Sequence, residues 1–109
     1  TDLIAIITND GWWGNTLGYI QHLNYSRLRA IEQRKNIVRS ANTGISAVID
    51  QKGNVISEIG WDQKSCLIAS LSINKNRTFY SKYGDYIGRL ACFVSIALLL
   101  MLCVKTVKK

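Results

Sequence analysis

From Leu90 to Val104 the chain carries no charged residue, and counting back to Tyr86 extends this apolar run to 19 positions in which Arg89 is the only charge. A helix of about 20 apolar residues is long enough to span the hydrocarbon core of a bilayer. Arg89 lies near one end, where its long side chain can reach the headgroups, and Asp85 is one helical turn away, within reach of an ion pair. Tyr80, Tyr83 and Tyr86 fall where an aromatic belt would sit, and Lys105, Lys108 and Lys109 follow the run. The competing reading, a buried core helix, is disfavoured: the run ends in a basic tail, and the remaining residues are too few to enclose it. Removing the span leaves roughly 80 residues, a marginal size for independent folding. The chain also opens without Met, directly in a strand-like run, so it is expected to be a piece of a longer protein.

Fourteen Lys and Arg against seven Asp and Glu give a formal charge of +7, which implies an anionic partner. The distribution separates the candidates. Arg27, Arg29, Arg34, Lys35 and Arg39 lie on or just after an expected helix, where a solvated face is the plain explanation. Lys75, Arg77 and Lys82 precede the apolar run and the lysine tail follows it, a pattern that suits a lipid surface better than a nucleic-acid groove. The tail favours a cytoplasmic C-terminus. The residues before the run pull the other way. With the tail dominant, residues 1–83 lie outside the cytoplasmic membrane. Of the three cysteines, Cys92 and Cys103 are inside the apolar run and behave as small apolar side chains. No spacing suggests a zinc site or a disulfide framework.

Leu3 to Ile7 is an unbroken apolar run rich in β-branched residues and predicts a strand buried on both faces, as in the middle of a sheet. Thr8-Asn9-Asp10-Gly11 ends it, and Trp12-Trp13-Gly14-Asn15-Thr16-Leu17-Gly18 makes a Gly-rich aromatic loop. Ile20, Leu23, Leu28 and Ile31 recur near helical spacing and predict a helix from about Tyr19 to Arg34. A second strand starts at Ile37-Val38, and Asn42-Thr43-Gly44 is a turn signal. Ile45–Ile49 and Asn54–Ile59 flank Asp50-Gln51-Lys52-Gly53, which predicts a hairpin. Residues 66–73 are a further strand candidate, and Asn74 to Gly84 reads as a polar, basic linker. Strand, helix, strand, hairpin and strand in that order fit a layered α/β sheet.

Three segments together are more specific than any one alone: Ile7-Thr8-Asn9-Asp10-Gly11-Trp12-Trp13-Gly14; Gln21-His22 with Arg27-Leu28-Arg29-Ala30-Ile31-Glu32; and Val38-Arg39-Ser40-Ala41-Asn42-Thr43-Gly44-Ile45-Ser46-Ala47-Val48-Ile49-Asp50, then Gly53. The second and third resemble the C-terminal half of the nitrilase, or carbon–nitrogen hydrolase, superfamily. The first, with the terminal apolar run and Thr78-Phe79-Tyr80-Ser81-Lys82-Tyr83-Gly84-Asp85 before it, resembles the apolipoprotein N-acyltransferase family within it.

That resemblance implies an α/β chain forming the C-terminal part of a nitrilase-like α-β-β-α sandwich, followed by one transmembrane helix. On this reading residues 1–73 belong to the hydrolase-like domain, 74–85 are a linker, 86–104 the span and 105–109 a basic cytoplasmic tail. It further implies a multi-pass parent in the bacterial inner (cytoplasmic) membrane, with residues 1–83 periplasmic. The parent would move an acyl chain from a phospholipid donor to the N-terminal diacylglyceryl-cysteine of a lipoprotein acceptor, through a Glu-Lys-Cys triad and a thioester. The partners implied are these two substrates, the membrane and the rest of the parent enzyme, with no nucleic acid, cofactor or metal. In that family the nucleophile, base and lysine all precede the Asn-Asp-x-Trp segment, so no catalytic residue is assigned here. Cys66 follows Lys64-Ser65 without a matching elbow or base and is read as structural.

The candidate substrate-binding residues are therefore Trp12, Trp13, Asn9 and Asp10. The tryptophans would line an acyl-chain pocket or a lid. Asn9 and Asp10 would hold their loop through side-chain bonds rather than transfer protons. His22, the only histidine, is read as a hydrogen-bonded residue beside the loop in preference to a general base. Glu32 is expected to pair with Arg29 or Lys35. Two other functions compete: a membrane-tethered amidase or nitrilase, and a tail-anchored basic module that binds lipid or nucleic acid.

Overall fold

The structure is a computed structural model that describes residues 2–107. Thr1, and Lys108 and Lys109 of the expected basic tail, lie outside the described residues. The chain divides into two compact units, Thr1–Thr78 and Phe79–Lys109.

In the first unit, β1 (Ile4–Thr8) leads through a short 3-10 helix (Asp10–Trp13) into α1 (Leu17–Gln33) and then β2 (Ile37–Ala41), β3 (Ser46–Ile49) and β4 (Val55–Ile59). The sheet order is β1-β2-β3-β4. β1 and β2 are parallel, with Ile4 opposite Ile37 and Ile6 opposite Arg39, so α1 is the crossover that a parallel pair requires. The remaining pairs are antiparallel, with β3 and β4 forming the expected hairpin. Helix α1 starts two residues before the predicted Tyr19 because Thr16 caps it, its hydroxyl accepting from Gly18 N at 3.3 Å. The helix ends at Arg34, which takes the left-handed conformation with φ 50°.

Leu23, Ser26 and Ala30 recur at helical spacing and are the buried positions of α1. Leu23 and Ala30 pack on Ile37, Ala47 and Ile49, with Ile4, Ile6, Ile45 and Val55 around them. The core is thus a single layer between α1 and one sheet face. On the opposite face Val48 is buried, but Ile7 is 90% exposed and Val38 is also exposed. This differs from the prediction of a central strand buried on both sides. β1 is an edge strand, and among the described residues nothing covers the outer face at Ile7.

The strand predicted over residues 66–73 is absent; the segment has no ladder partner. It is tied down by side chains instead, with Asn36 Nδ2 donating to Ser72 O at 2.5 Å. Farther on, the buried Lys35 ammonium donates to the carbonyls of Asn74 and Asn76, and Thr78 Oγ1 donates to Glu32 O at 2.6 Å. A buried cation must find acceptors, and here the chain itself supplies them. Glu32 pairs with Arg29 at 2.6 Å and leaves Lys35 to these carbonyls.

In the second unit, α2 (Phe79–Tyr83) and α3 (Tyr86–Val107) are joined at Gly84. Phe79 meets the Tyr83 ring at a tilt and the Tyr86 ring edge-on, with ring centroids 4.4 and 4.9 Å apart. Asp85 caps α3 by accepting from Gly88 N at 3.0 Å; among the described residues it forms no ion pair with Arg89, contrary to expectation. Tyr86–Thr106 is long and apolar enough to cross a membrane, by length and composition.

Candidate functional site: an aromatic loop over a buried ion pair

Asp10 follows the C-terminal end of β1 and is wholly buried. Arg39 is on β2, two residues after Ile37, so strand alternation turns it to the same inner face. A lone charge there would be very costly. The two resolve each other: Arg39 Nη2 meets Asp10 Oδ2 at 2.6 Å, with both side chains fully buried. The other guanidinium donors are also used, Nη1 on Ser26 Oγ at 3.0 Å and Nε on Ile45 O at 3.1 Å. Asp10 Oδ1 accepts from Thr8 Oγ1 at 2.9 Å and from His22 Nδ1 at 2.8 Å. Burial alone would raise the Asp10 carboxyl. The hydrogen bonds from His22, Arg39 and Thr8, with the Arg39 charge, outweigh it and hold the group below its ordinary value. Asp10 is therefore an anion at neutral pH and can only accept, so His22 Nδ1 carries the proton.

The turn after β2 closes against this pair. A Cβ at Gly44 would fall 2.1 Å from Asp10 Oδ2, so only glycine fits there. This gives the Asn42-Thr43-Gly44 turn a steric reason beyond its local turn preference.

The aromatic loop rests on the same network. Asn9 caps the 3-10 helix, its Oδ1 accepting from Gly11 N at 3.2 Å. Trp13 meets the His22 ring edge-on, with centroids 5.1 Å apart and planes at 70°. On its other flank Trp13 lies against Gly18, where a Cβ would come within 2.8 Å of its ring. Trp12 projects and is 85% exposed, against 45% for Trp13. Of the four predicted site residues, Asn9 and Asp10 hold the loop and Trp12 and Trp13 are what it presents. His22 takes the hydrogen-bonded place read for it. Sequence reasoning missed Thr8, Ser26 and Arg39. The signal for Arg39 was available: it alternates with Val38 on a strand whose Ile37 faces the core.

The arrangement positions a loop and holds charge. Its cysteines lie elsewhere: Cys66 is exposed, and Cys92 and Cys103 are on α3. Among the described residues no cluster of His, Cys, Asp and Glu could hold a metal ion.

The fold and this site together define a mixed α/β unit built on a four-stranded sheet, accompanied by one long apolar helix. Residues 1–79 match the family model described as carbon-nitrogen hydrolase, and the chain belongs to that family, as its motifs imply. It is similar to proteins named apolipoprotein N-acyltransferase. The one from Rhodopseudomonas palustris is 43% identical over 96 residues, 88% of this chain and 17% of the relative. The one from Bradyrhizobium diazoefficiens is 45% identical over 97 residues, 89% of this chain and 18% of the relative. That from Haemophilus ducreyi is 35% identical over 96 residues, 88% and 19% respectively. The chain spans under a fifth of the length of these relatives.

Proposed function

We propose that this chain is the C-terminal part of an apolipoprotein N-acyltransferase, an enzyme that moves an acyl chain from a phospholipid to the N-terminal diacylglyceryl-cysteine of a lipoprotein. One observation carries the reading. The family model stops at residue 79, whereas the three acyltransferase relatives named above align over 96 or 97 of the 109 residues. An alignment that long runs well into the apolar helix, so the likeness joins both units.

In this reading residues 1–73 form one sheet of an α-β-β-α sandwich, and the open face at Ile7 and Val38 receives the sheet supplied by the rest of the enzyme. Residues 74–85 connect to a span at 86–104. Residues 1–83 lie on the periplasmic side of the bacterial inner membrane, and 105–109 are cytoplasmic. The Glu-Lys-Cys triad comes from the rest of the enzyme. The carboxylate base takes the thiol proton, the thiolate attacks the ester carbonyl of the phospholipid, and the lysophospholipid leaves as an alcohol carrying that proton, so that a thioester remains. The acceptor amine then attacks the thioester, forming the amide and releasing the thiolate, while the proton the amine loses passes to the carboxylate base. This chain contributes Trp12 and Trp13 as an apolar lining for the acyl chain, on a loop fixed by Asn9 and Asp10.

The test is acyl transfer by the full-length protein in phospholipid vesicles, with a synthetic diacylglyceryl-cysteine peptide as acceptor. The peptide should gain the mass of one acyl chain as lysophospholipid appears in equal amount, and the 109-residue chain alone should give neither. Ammonia release from small amides without peptide acylation would identify a tethered amidase instead. Salt-sensitive vesicle binding with neither reaction would identify a basic binding module.

A further inference from the structure

We infer that His22 is a positioning residue for the acyl donor: it holds Trp13 in place, and through it the projecting Trp12, while taking no part in proton transfer. This deepens the acyltransferase reading and rests on it.

The contacts run without a break from the sheet interior to the exposed loop. Arg39 fixes Asp10 at 2.6 Å, Asp10 fixes His22 at 2.8 Å, and His22 meets the Trp13 ring at 5.1 Å. Gly18 and His22 are one turn apart on α1, so they form a two-point seat for the Trp13 ring on one helix face. Each upstream member is restrained independently: Asp10 by Thr8 and by the closure of Gly44, and Arg39 by Ser26 and Ile45. The ring of Trp13 is thus held from beneath, while its neighbour Trp12 remains free to meet an apolar ligand.

A carboxylate on a histidine Nδ1 also suggests a general base acting through Nε2. Here the geometry argues otherwise. The Asp10 carboxylate is already neutralised by Arg39, and Arg39 Nη2 lies 3.2 Å from His22 Nδ1. Nδ1–H and Nη2–H both point to the one carboxylate, so the pair fixes the orientation of the ring.

Two variants of the full-length protein separate the roles. His22→Asn keeps an N–H donor near Asp10 and removes the ring beneath Trp13. Its KM for phospholipid should rise about tenfold with kcat within about twofold of the parent. His22→Phe keeps a ring beneath Trp13 and loses the donor, and should recover most of the KM at some loss of stability. A fall in kcat of about a hundredfold in both variants, with the pH–rate profile losing a limb, would instead make His22 a proton-transfer group. An unchanged KM in His22→Asn also overturns the proposal. A second readout does not need turnover. In protein labelled with 5-fluorotryptophan, the fluorine resonance of Trp13, assigned by its loss in Trp13→Phe, should move in His22→Asn while that of Trp61, whose ring lies against Tyr19 at 4.7 Å, stays. If the parent shows no acyl transfer, the functional reading fails, but this resonance still decides whether His22 seats Trp13. An unmoved resonance rejects that seat.

Discussion

The two units handle charge in opposite ways. In Thr1–Thr78, Asp10, Lys35 and Arg39 are all buried, and each has partners built into the fold. In Phe79–Lys109, α3 places its charges near its ends, at Arg89 and Lys105, and exposes Leu, Ile, Val and Phe along the length between them. The first pattern belongs to a chain that partners its buried charges internally, beside water. The second belongs to a helix whose backbone is satisfied within itself and whose side chains would match a hydrocarbon solvent. A charge in the first unit is tolerated because a partner was placed for it; at the centre of α3 it would have none.

The largest expected effect comes from orphaning the buried pair. Arg39→Met leaves Asp10 buried with its main charge partner gone, and should cost about 3–5 kcal/mol of stability. Asp10→Asn should be similarly harmful. The double variant should lose less than the sum of the two, because it removes both charges together. Chemical unfolding in mild detergent, followed by near-UV circular dichroism, measures this. Strict additivity would mean that the pair is not coupled and would undo the contrast between the units at its strongest point.

Next in size is the reverse experiment on α3. Leu98→Arg puts a charge at mid-helix and should raise the apparent insertion free energy by about 2.5–3.5 kcal/mol. Ile87→Arg, beside the first turn, should cost far less because its side chain can reach the interface. Insertion of tagged α3 segments into microsomes, scored by glycosylation, gives both numbers. Equal costs at the two positions would show that the helix does not lie in a bilayer with its centre near Leu98.

What could be read from the sequence divides along a similar line. The hairpin was legible because its turn, Asp50 to Gly53, is local chemistry between two β-rich runs. The existence of helix α1 was legible from the spacing of Ile20, Leu23, Leu28 and Ile31, but its buried face was not, since Ile20, Leu28 and Ile31 are exposed and Ser26 and Ala30 are buried with Leu23; its early start follows from a cap at Thr16 that a periodicity argument overlooks. The Asn9 loop bond was legible for the same local reason. The Asp10–Arg39 pair was not, because 29 residues separate its members and only the parallel register of β1 and β2 brings them together. Ile4 to Ile7 reported apolar character correctly, but an apolar run cannot say what covers it, and Ile7 is open here. Residues 66–73 looked like a strand in composition. Composition supplies no ladder partner, and side chains such as Asn36 anchor the segment instead.

The smallest effect tests whether the first unit's partnering of charges extends to its surface. Asp50 closes the β3–β4 turn: its Oδ1 accepts from Lys52 N and Asn54 N, both at 2.8 Å, and its Oδ2 accepts from Asn54 Nδ2 at 2.9 Å. The Asn54 side chain is the chief cause that holds this carboxyl below its ordinary value, opposed by burial and aided by the Asn54 and Lys52 backbone N–H groups. Asp50→Ala should therefore cost about 1 kcal/mol at neutral pH. A carboxyl depressed in the folded state stabilises above its unfolded value, and that contribution is lost as pH falls through the lower folded one. The gap between Asp50→Ala and the parent should accordingly narrow on acidification below about pH 4. The Asp10 contribution, lost over the same direction of pH, should remain in both proteins and cancel from the difference. A gap that stays constant down to pH 2 would mean that the turn is held by its backbone bonds, Gly53 N to Asp50 O at 3.0 Å and Asp50 N to Asn54 O at 2.9 Å, and not by the carboxylate.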